Sequence, residues 1–434
     1  MVDVAEIFVW GELAGAVRWD EAQQLASFQY HPAFLQRGRD LSPLKMPISQ
    51  GSRIYRFPEL RRQKDNAFDT FKGLPGLLAD ALPDRYGNEL INVWLAQQGR
   101  PAGSMNPVEQ LCFIGSRAVG ALEFEPAQFP THKTTFNIDL GSLVETAQRI
   151  LSGREAFSTN LNANEERALK AILRVGTSAG GARPKAVIAY NPKTGDVRSG
   201  QTKVPEGYEH WLIKLDGVSG AQFGESFGWG RVEYAYYLMA TACGIDMMES
   251  SMLEENGRAH FMTRRFDREA GNIKHHIQTL CGLQHFDYNN LGAYSYEQVF
   301  QTMRLLRLSY PEAEQMFRRM VFNVVATNCD DHAKNFSFRL KKDEPWELAP
   351  AYDVCYSYDP DNIWVNQQTL SINGKRKNIT RADLMTSARA NSIKKAEKIL
   401  NEINEVVRHW DDFAEQAQVR DNLRDTIKAN LHLI

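Results

Sequence analysis

The sequence predicts an α+β fold with an N-terminal α/β domain, a strand-rich lobe and a helix-rich C-terminal lobe. Three observations carry this. Short apolar runs broken by Gly and Asp open the chain, and three further strand-like runs lie in its middle third. Beyond Asp267 the apolar spacing is mostly helical. The 434 residues fit two to four domains at roughly 100–200 residues each. The expected divisions are 1–155, 156–267 and 268–434, with the polar stretch at 152–160 (SGREAFSTN) as a linker.

Within residues 5–30, AEIFVW, GAVRW and ASFQY read as strands separated by Gly and by Asp20–Glu21. Residues 31–72 are rich in turn formers. Leu77, Leu78, Ala81 and Leu82 then make one helical face and Leu90, Ile91, Val93, Trp94 and Leu95 another; Pro83 and Gly87 interrupt, giving two short helices. A helix at 107–114, a strand in GALEFEP and a helix over Leu140–Leu151 follow, and Asn162–Leu173 repeats the helical period. Strands are expected at Lys185–Tyr190, His210–Leu215 and Arg258–Met262, with a helix over Gly230–Gly244. Later helices fall at 295–307, 311–327 and in a series from 380 to 430, and FSFRL and WEL form two short strands before that series.

Composition excludes several classes. Fifty-one Lys and Arg against 53 Asp and Glu give a charge of −2, so this is no electrostatic nucleic-acid coat. Any DNA contact is auxiliary and local; Arg37–Arg39, Arg53–Lys64 and Gly374–Lys377 are the densest basic segments. No apolar run approaches the ~20 residues that span a bilayer, and the N-terminus carries acids where a secretory leader needs bases. Cys112, Cys243, Cys281, Cys329 and Cys355 are odd in number and contain no CxxC pair, so neither a disulfide framework nor a zinc site is expected. A cytoplasmic chain with reduced thiols and no membrane contact is expected.

The strongest motif is Cys329-Asp330-Asp331-His332-Ala333-Lys334-Asn335, followed by Ala349-Pro350-Ala351-Tyr352-Asp353. Asp330 and Asn335 have the spacing of a kinase catalytic loop, in which an Asp serves the acceptor hydroxyl and an Asn holds Mg²⁺. Asp353 is placed to give a second metal ligand. The Asp-x-His-x-x-Asn form is closer to lipid-kinase loops than to HRD loops; with a strand-rich middle and a helix-rich end, the expected fold is two-lobed and protein-kinase-like. A helix-capping role for the same residues and a metal-hydrolase site are the competing readings. Lys214 ends an apolar strand, where a kinase holds its phosphate-binding amine, and Glu233 on the next helix is its candidate ion-pair partner. The glycines of Gly176–Lys185 allow close approach to phosphate, and Arg183 and Lys185 add cations. Met262–Arg268 closes a strand in the position of an adenine-holding hinge; a basic strand end paired with Asp267 is the alternative.

Taken together, these segments resemble the HipA family of Ser/Thr-kinase toxins from bacterial HipBA toxin–antitoxin modules. Gly73–Asp84, Leu111–Leu122, Ser178–Lys185, Ile213–Leu215, Arg265–Arg268, Asp330–Asn335 and Tyr352–Asp353 carry the resemblance. It implies that Asp330 is the catalytic base, that Asn335 and Asp353 hold Mg²⁺, and that Lys214 meets the ATP phosphates. It further implies ATP contacts from the loop Ser178, Ala179, Gly180, Gly181, Ala182, Arg183 and Lys185, from His332 and Lys334, and from Arg264 and Phe266 through backbone atoms. Asp267 would lie near the ribose, and Ser178 would be autophosphorylated. Two positions depart from the family's common form: Asp331, where glycine is usual, and Arg264, where an acid is frequent. The implied partners are a small HipB-like helix-turn-helix antitoxin, in a heterotetramer or larger complex on operator DNA, and a protein substrate of translation such as an aminoacyl-tRNA synthetase. A catalytically weak co-repressor and a lipid or small-molecule kinase are the other readings.

Overall fold

The computed structural model describes residues 2–63, 66, 68–129, 135–151, 169–173, 175–176, 183–200, 203–218 and 227–434. The chain divides into two compact units. The first comprises Met1–Leu41, Met46–Gly230 and Ser250–Ile277. The second comprises Ser42–Lys45, Arg231–Glu249 and Gln278–Ile434. The predicted α+β class holds, with antiparallel sheets in the first unit and mostly helices in the second.

Two five-stranded antiparallel sheets organise the first unit. The N-terminal sheet contains β1 (Val4–Val9), β2 (Glu12–Asp20), β3 (Leu25–Tyr30), β4 (Ile54–Tyr55) and β5 (Leu122–Glu125), in the order β4-β3-β2-β1-β5. Alternation fixes its register: Ala5, Ile7 and Val9 are fully buried while the residues between them face outward or lie part-buried. The second sheet contains β6 (Lys185–Tyr190), β7 (Val197–Ser199), β8 (Glu209–Lys214), β9 (Ser250–Glu255) and β10 (Arg258–Arg264), in the order β7-β6-β8-β10-β9. Strand β6 reads KAVIAY without alternation, and all but its last residue are buried. A helix at Arg85–Gln97 (α1) and another at Leu140–Leu151 (α2) send Leu90, Leu95, Leu143 and Ala147 into one core with Ala186, Ile188, Trp211 and Ile213 of β6 and β8. The predicted linker at 152–160 lies outside the described residues, as does most of the expected helix over Asn162–Leu173.

The second unit is built on a helix at Tyr310–Val325 (α3). Ser309 opens it by donating from its backbone N–H and its hydroxyl to Glu312, an N-terminal box that holds otherwise unsatisfied groups. Met316, Phe317, Met320, Val321 and Val324 are buried along its inner face at i, i+3/i+4 spacing. Facing them is the apolar stripe Ile399, Leu400, Ile403 and Val407 of the helix at Ala396–Arg408. Such fully buried side chains contribute roughly 1.5–3 kcal/mol each before the entropy of ordering them. Tyr236 stacks edge-on to Trp410 at 5.5 Å and donates its hydroxyl to the Ala326 carbonyl at 2.6 Å, which anchors the C-terminal end of α3. The predicted short strands appear as a hairpin of Ser337–Leu340 and Trp346–Leu348. Among the described residues no helix is long and apolar enough to cross a membrane.

Candidate functional site

In the second unit, α3 ends in a run of turns that delivers residues 327–335. Thr327 turns the chain through a left-handed backbone (φ 55°), and Asn328 Nδ2 donates to Asn323 Oδ1 at 3.0 Å. The next two acids part. The Asp330 side chain is 46% exposed, whereas Asp331 is 1% exposed. His332 Nε2 lies 3.7 Å from Asp330 Oδ1. Asn335 Nδ2 donates to the Asp330 carbonyl at 2.7 Å, which leaves its amide oxygen as the end that can meet a cation. Tyr352 Oη donates to the Lys334 carbonyl at 2.6 Å and accepts from Ser337 Oγ at 2.5 Å. That bond ties the segment carrying Asp353 to the Asp330–Asn335 loop. Asp353 has a left-handed backbone (φ 56°), a conformation that costs a non-glycine residue about 1 kcal/mol or more and is held here by its neighbours. Asn335, Asp353, Asn323 and the buried Arg319 line one small cavity of about 20 Å³, room for a water. Tyr288 lies between two other predicted site residues: its ring is 5.0 Å from His332 and carries Lys334 Nζ at 5.3 Å.

Asp331 is spoken for inside the unit. Its carboxylate accepts from Tyr296 Oη at 2.8 Å and from the Thr369 amide at 2.6 Å, with the Leu370 amide at 3.4 Å. Burial pushes its carboxyl up to about 7, against the lowering effect of those hydrogen bonds.

In the first unit the predicted cations gather on the second sheet. Lys185 of β6 and Lys214 of β8 are direct cross-strand partners, and Phe261 of β10 is the next residue in that row. Lys214 Nζ sits 5.9 Å from the Phe261 ring centre. Lys185 is buried, with Nζ 3.8 Å from Asp84 Oδ2. Asp84 also caps α1, accepting from the Gly87 amide at 2.7 Å. Like charges directly opposite one another on a sheet are destabilising unless anions are at hand. Arg183 lies over the Trp229 ring at 5.0 Å. Arg264, the last residue of β10, pairs with Glu209 at 3.5 Å, both side chains half-exposed, and Phe266 is half-buried.

Asp267 lies inside the unit. It is buried and accepts from the Gly120 amide at 2.7 Å, from Arg265 at 2.8 and 2.6 Å and from Arg268 at 2.7 Å. Burial alone would raise its carboxyl; the two guanidiniums hold it well below the usual range. Its carboxylate is taken up within the unit by these donors. Glu233 is buried on the helix Trp229–Ala242. Ser178, Ala179, Gly180, Gly181 and Ala182 lie outside the described residues.

The donor set fits Mg²⁺ better than a metal bound by protein alone. Among the described residues no cluster of three or more His, Cys, Asp or Glu forms a metal cage. One carboxylate and one amide oxygen, Asp353 and Asn335, are a partial oxygen shell of the kind Mg²⁺ completes with water and phosphate. Sequence reasoning missed the inward turn of Asp331, the Tyr352 tie and the Asp84 partner of Lys185. Tyr352 had a signal in its position beside Asp353; the other two depend on contacts between segments far apart in sequence.

Comparison with known proteins places the chain. Residues 5–125 match the HipA N-terminal domain and residues 177–410 match the HipA-like C-terminal domain. "Putative kinase Y4mE" of Sinorhizobium fredii is 30% identical over 138 residues, 29% of this chain and 32% of that protein. A "Putative kinase" of Haemophilus influenzae is 28% identical over 134 residues, 28% of this chain and 39% of that protein. The chain thus spans about a third of the length of these curated relatives. A chain in the solved Shewanella oneidensis MR-1 complex of HipA, HipB and operator DNA has the same fold, with a TM-score of 0.68, 16% identity and coverage of 98% of this chain and 94% of that one. With both domain families matched in order and more than half of its length inside one of them, the chain belongs to the HipA family.

Proposed function

We propose that the protein is an ATP-dependent serine/threonine-protein kinase acting as the toxin of a toxin–antitoxin module. The observation that carries this is the Asp330–Asn335–Asp353 arrangement, in which Asn335 is bonded to the Asp330 backbone and Tyr352 ties the Asp353 segment to the same loop. Asp330 accepts the proton of the acceptor hydroxyl, and its partial exposure leaves it reachable. Asn335 and Asp353 would hold Mg²⁺, which would supply charge neutralisation for the transferring phosphate. Lys214, backed by Lys185, meets ATP phosphates, and Arg183 adds a further cation. His332 and Lys334 flank the nucleotide, and Arg264 and Phe266 hold adenine through their backbone. The proposed partners are a HipB-like antitoxin and a protein of translation. The family match and the putative kinases among the relatives support the reading. In the same reading Ser178 is autophosphorylated; the added charge, roughly −1.5 to −2, opposes ATP's own phosphates and shuts the enzyme down.

The test is purified chain with radiolabelled ATP and Mg²⁺, alone and with cell extract. Wild type labels itself and a protein on serine or threonine, and Asp330→Asn does not. Equal labelling by the two proteins, or none by wild type, overturns the proposal. Mass spectrometry of the incubated wild type locates the phosphate; an unmodified Ser178 in active enzyme removes the self-inhibition.

A further inference from the structure

Asp330 and Asp331 are adjacent and chemically identical, yet only the first faces solvent. A buried carboxylate is costly unless it is hydrogen-bonded, so a fold that keeps one is using its oxygens to hold something. What Asp331 holds is the return end of a loop. The segment 357–369 leaves at Ser357, whose carbonyl accepts from the Cys329 amide at 2.9 Å and whose amide donates to the Thr327 carbonyl at 3.2 Å. It comes back at Thr369, whose amide donates to Asp331 and whose hydroxyl donates to the Cys329 carbonyl at 3.0 Å. Both ends are therefore fastened to residues flanking Asp330. Asp331 also receives Tyr296 Oη, which itself accepts from Asn323 Nδ2 at 2.9 Å, while the Tyr296 amide donates to the Ser371 carbonyl at 3.0 Å. One carboxylate thus knots three segments: the loop bearing Asp330, the helix starting at Tyr296 and the strap 357–371. The middle of the strap, Asp359 to Ile363, is exposed, and Ile363 is 64% exposed.

We infer that Asp331 is a positioning residue for the acceptor side of the site: by holding the Thr369 amide it fixes the strap beside Asp330, so that acceptor and base meet in register. This rests on the proposed kinase reading. The Asp331 carboxylate is engaged by Tyr296, Thr369 and Leu370, so its loss acts on the acceptor side and not on ATP. A misplacement of about 1 Å at such a site can cost on the order of 100-fold.

The experiment uses the full chain and three variants: Asp331→Ala, Asp331→Asn and Tyr296→Phe. Hydrogen exchange of the 357–371 backbone is measured together with the Kd for ATP with Mg²⁺ and phosphate transfer to dephosphorylated casein and to the chain itself. Asp331→Ala speeds exchange in the strap at least about tenfold and lowers transfer by about 10–100-fold, with the Kd for ATP within about twofold of wild type. Asp331→Asn keeps an acceptor oxygen and restores both readouts to near wild type. Tyr296→Phe, the milder change, moves both in the direction of Asp331→Ala by a few-fold. If Asp331→Ala does not fold, the Tyr296→Phe and Asp331→Asn pair decides in the same way. Unchanged strap exchange, or ATP affinity falling in step with transfer, overturns the inference while an active wild type leaves the kinase reading standing. A wild type that transfers no phosphate overturns the kinase reading and the acceptor role with it, and the exchange data then report a purely structural clamp.

Discussion

In the first unit the candidate groups are cations set by a sheet: Lys185 and Lys214 face each other across β6 and β8. In the second they are carboxylates and an amide set by loops and by left-handed turns at Thr327 and Asp353. A sheet fixes a side chain through register, so neighbours follow from period two. A loop fixes it through bonds such as Asn335 to the Asp330 carbonyl and Tyr352 to the Lys334 carbonyl. Each site is therefore vulnerable in a different place. The lysine row tolerates change around it as long as the strands pair; the acid loop depends on single hydrogen bonds.

The two units should differ most in their response to pH, because they bury titrating groups of opposite kind. Asp331 is raised from its ordinary value to about 7 by burial, with Tyr296 in contact and Cys329, Asp330 and Arg376 as the other ionisable groups around it. The folded state then holds a proton that the unfolded state gives up between about pH 4 and 7. Its contribution is therefore lost as pH rises through that window. Asp331→Asn carries no such loss, so its urea-unfolding free energy relative to wild type increases from pH 4 to 7, by at most about 4 kcal/mol. His276 of the first unit is lowered to about 4 by burial, against the opposing effect of the Leu41 carbonyl, to which its Nε2 donates at 3.0 Å. Its stability contribution is present above about pH 6.5 and lost as pH falls toward 4, by up to about 3 kcal/mol. His276→Gln flattens that acid limb. Parallel pH slopes in the two variants would erase the contrast.

The next prediction compares the units in function. Asp330→Asn lowers phosphate transfer by about 10²-fold or more while leaving ATP affinity within about twofold. Lys214→Ala does the reverse in kind: it weakens ATP binding by about tenfold, about 1.4 kcal/mol, as calorimetry would read it. A loss of ATP affinity in Asp330→Asn equal to that in Lys214→Ala would merge the two roles.

The same contrast sets what was legible in the sequence. The runs at Lys185–Tyr190 and His210–Leu215 were readable as strands because β-branched and apolar residues sit between turn formers, and the structure places β6 and β8 there. The 140–151 helix was readable from its apolar spacing and is found over Leu140–Leu151. The Asp330–Asn335 spacing was readable because it is local. The opposite orientation of Asp330 and Asp331 was not, since it depends on Tyr296 and Thr369, which lie 35 residues before and 38 after Asp331. Asp267 was legible in part: its pairing with Arg265 and Arg268 is local, whereas the Gly120 amide it also accepts from lies 147 residues away. Local spacing announces chemistry, whereas burial is decided by contacts that cross the sequence.

In the proposed reading Asp353 and Asn335 would hold Mg²⁺ on ATP while Lys214 meets its phosphates. Calorimetric titration of ATP into the full chain, with and without Mg²⁺, tests it most directly. Binding is expected to be tighter with Mg²⁺ in wild type, independent of Mg²⁺ in Asp353→Ala, and weaker under both conditions in Lys214→Ala. Equal ATP affinity with and without Mg²⁺ in wild type, or an Mg²⁺ dependence that survives Asp353→Ala, would contradict it.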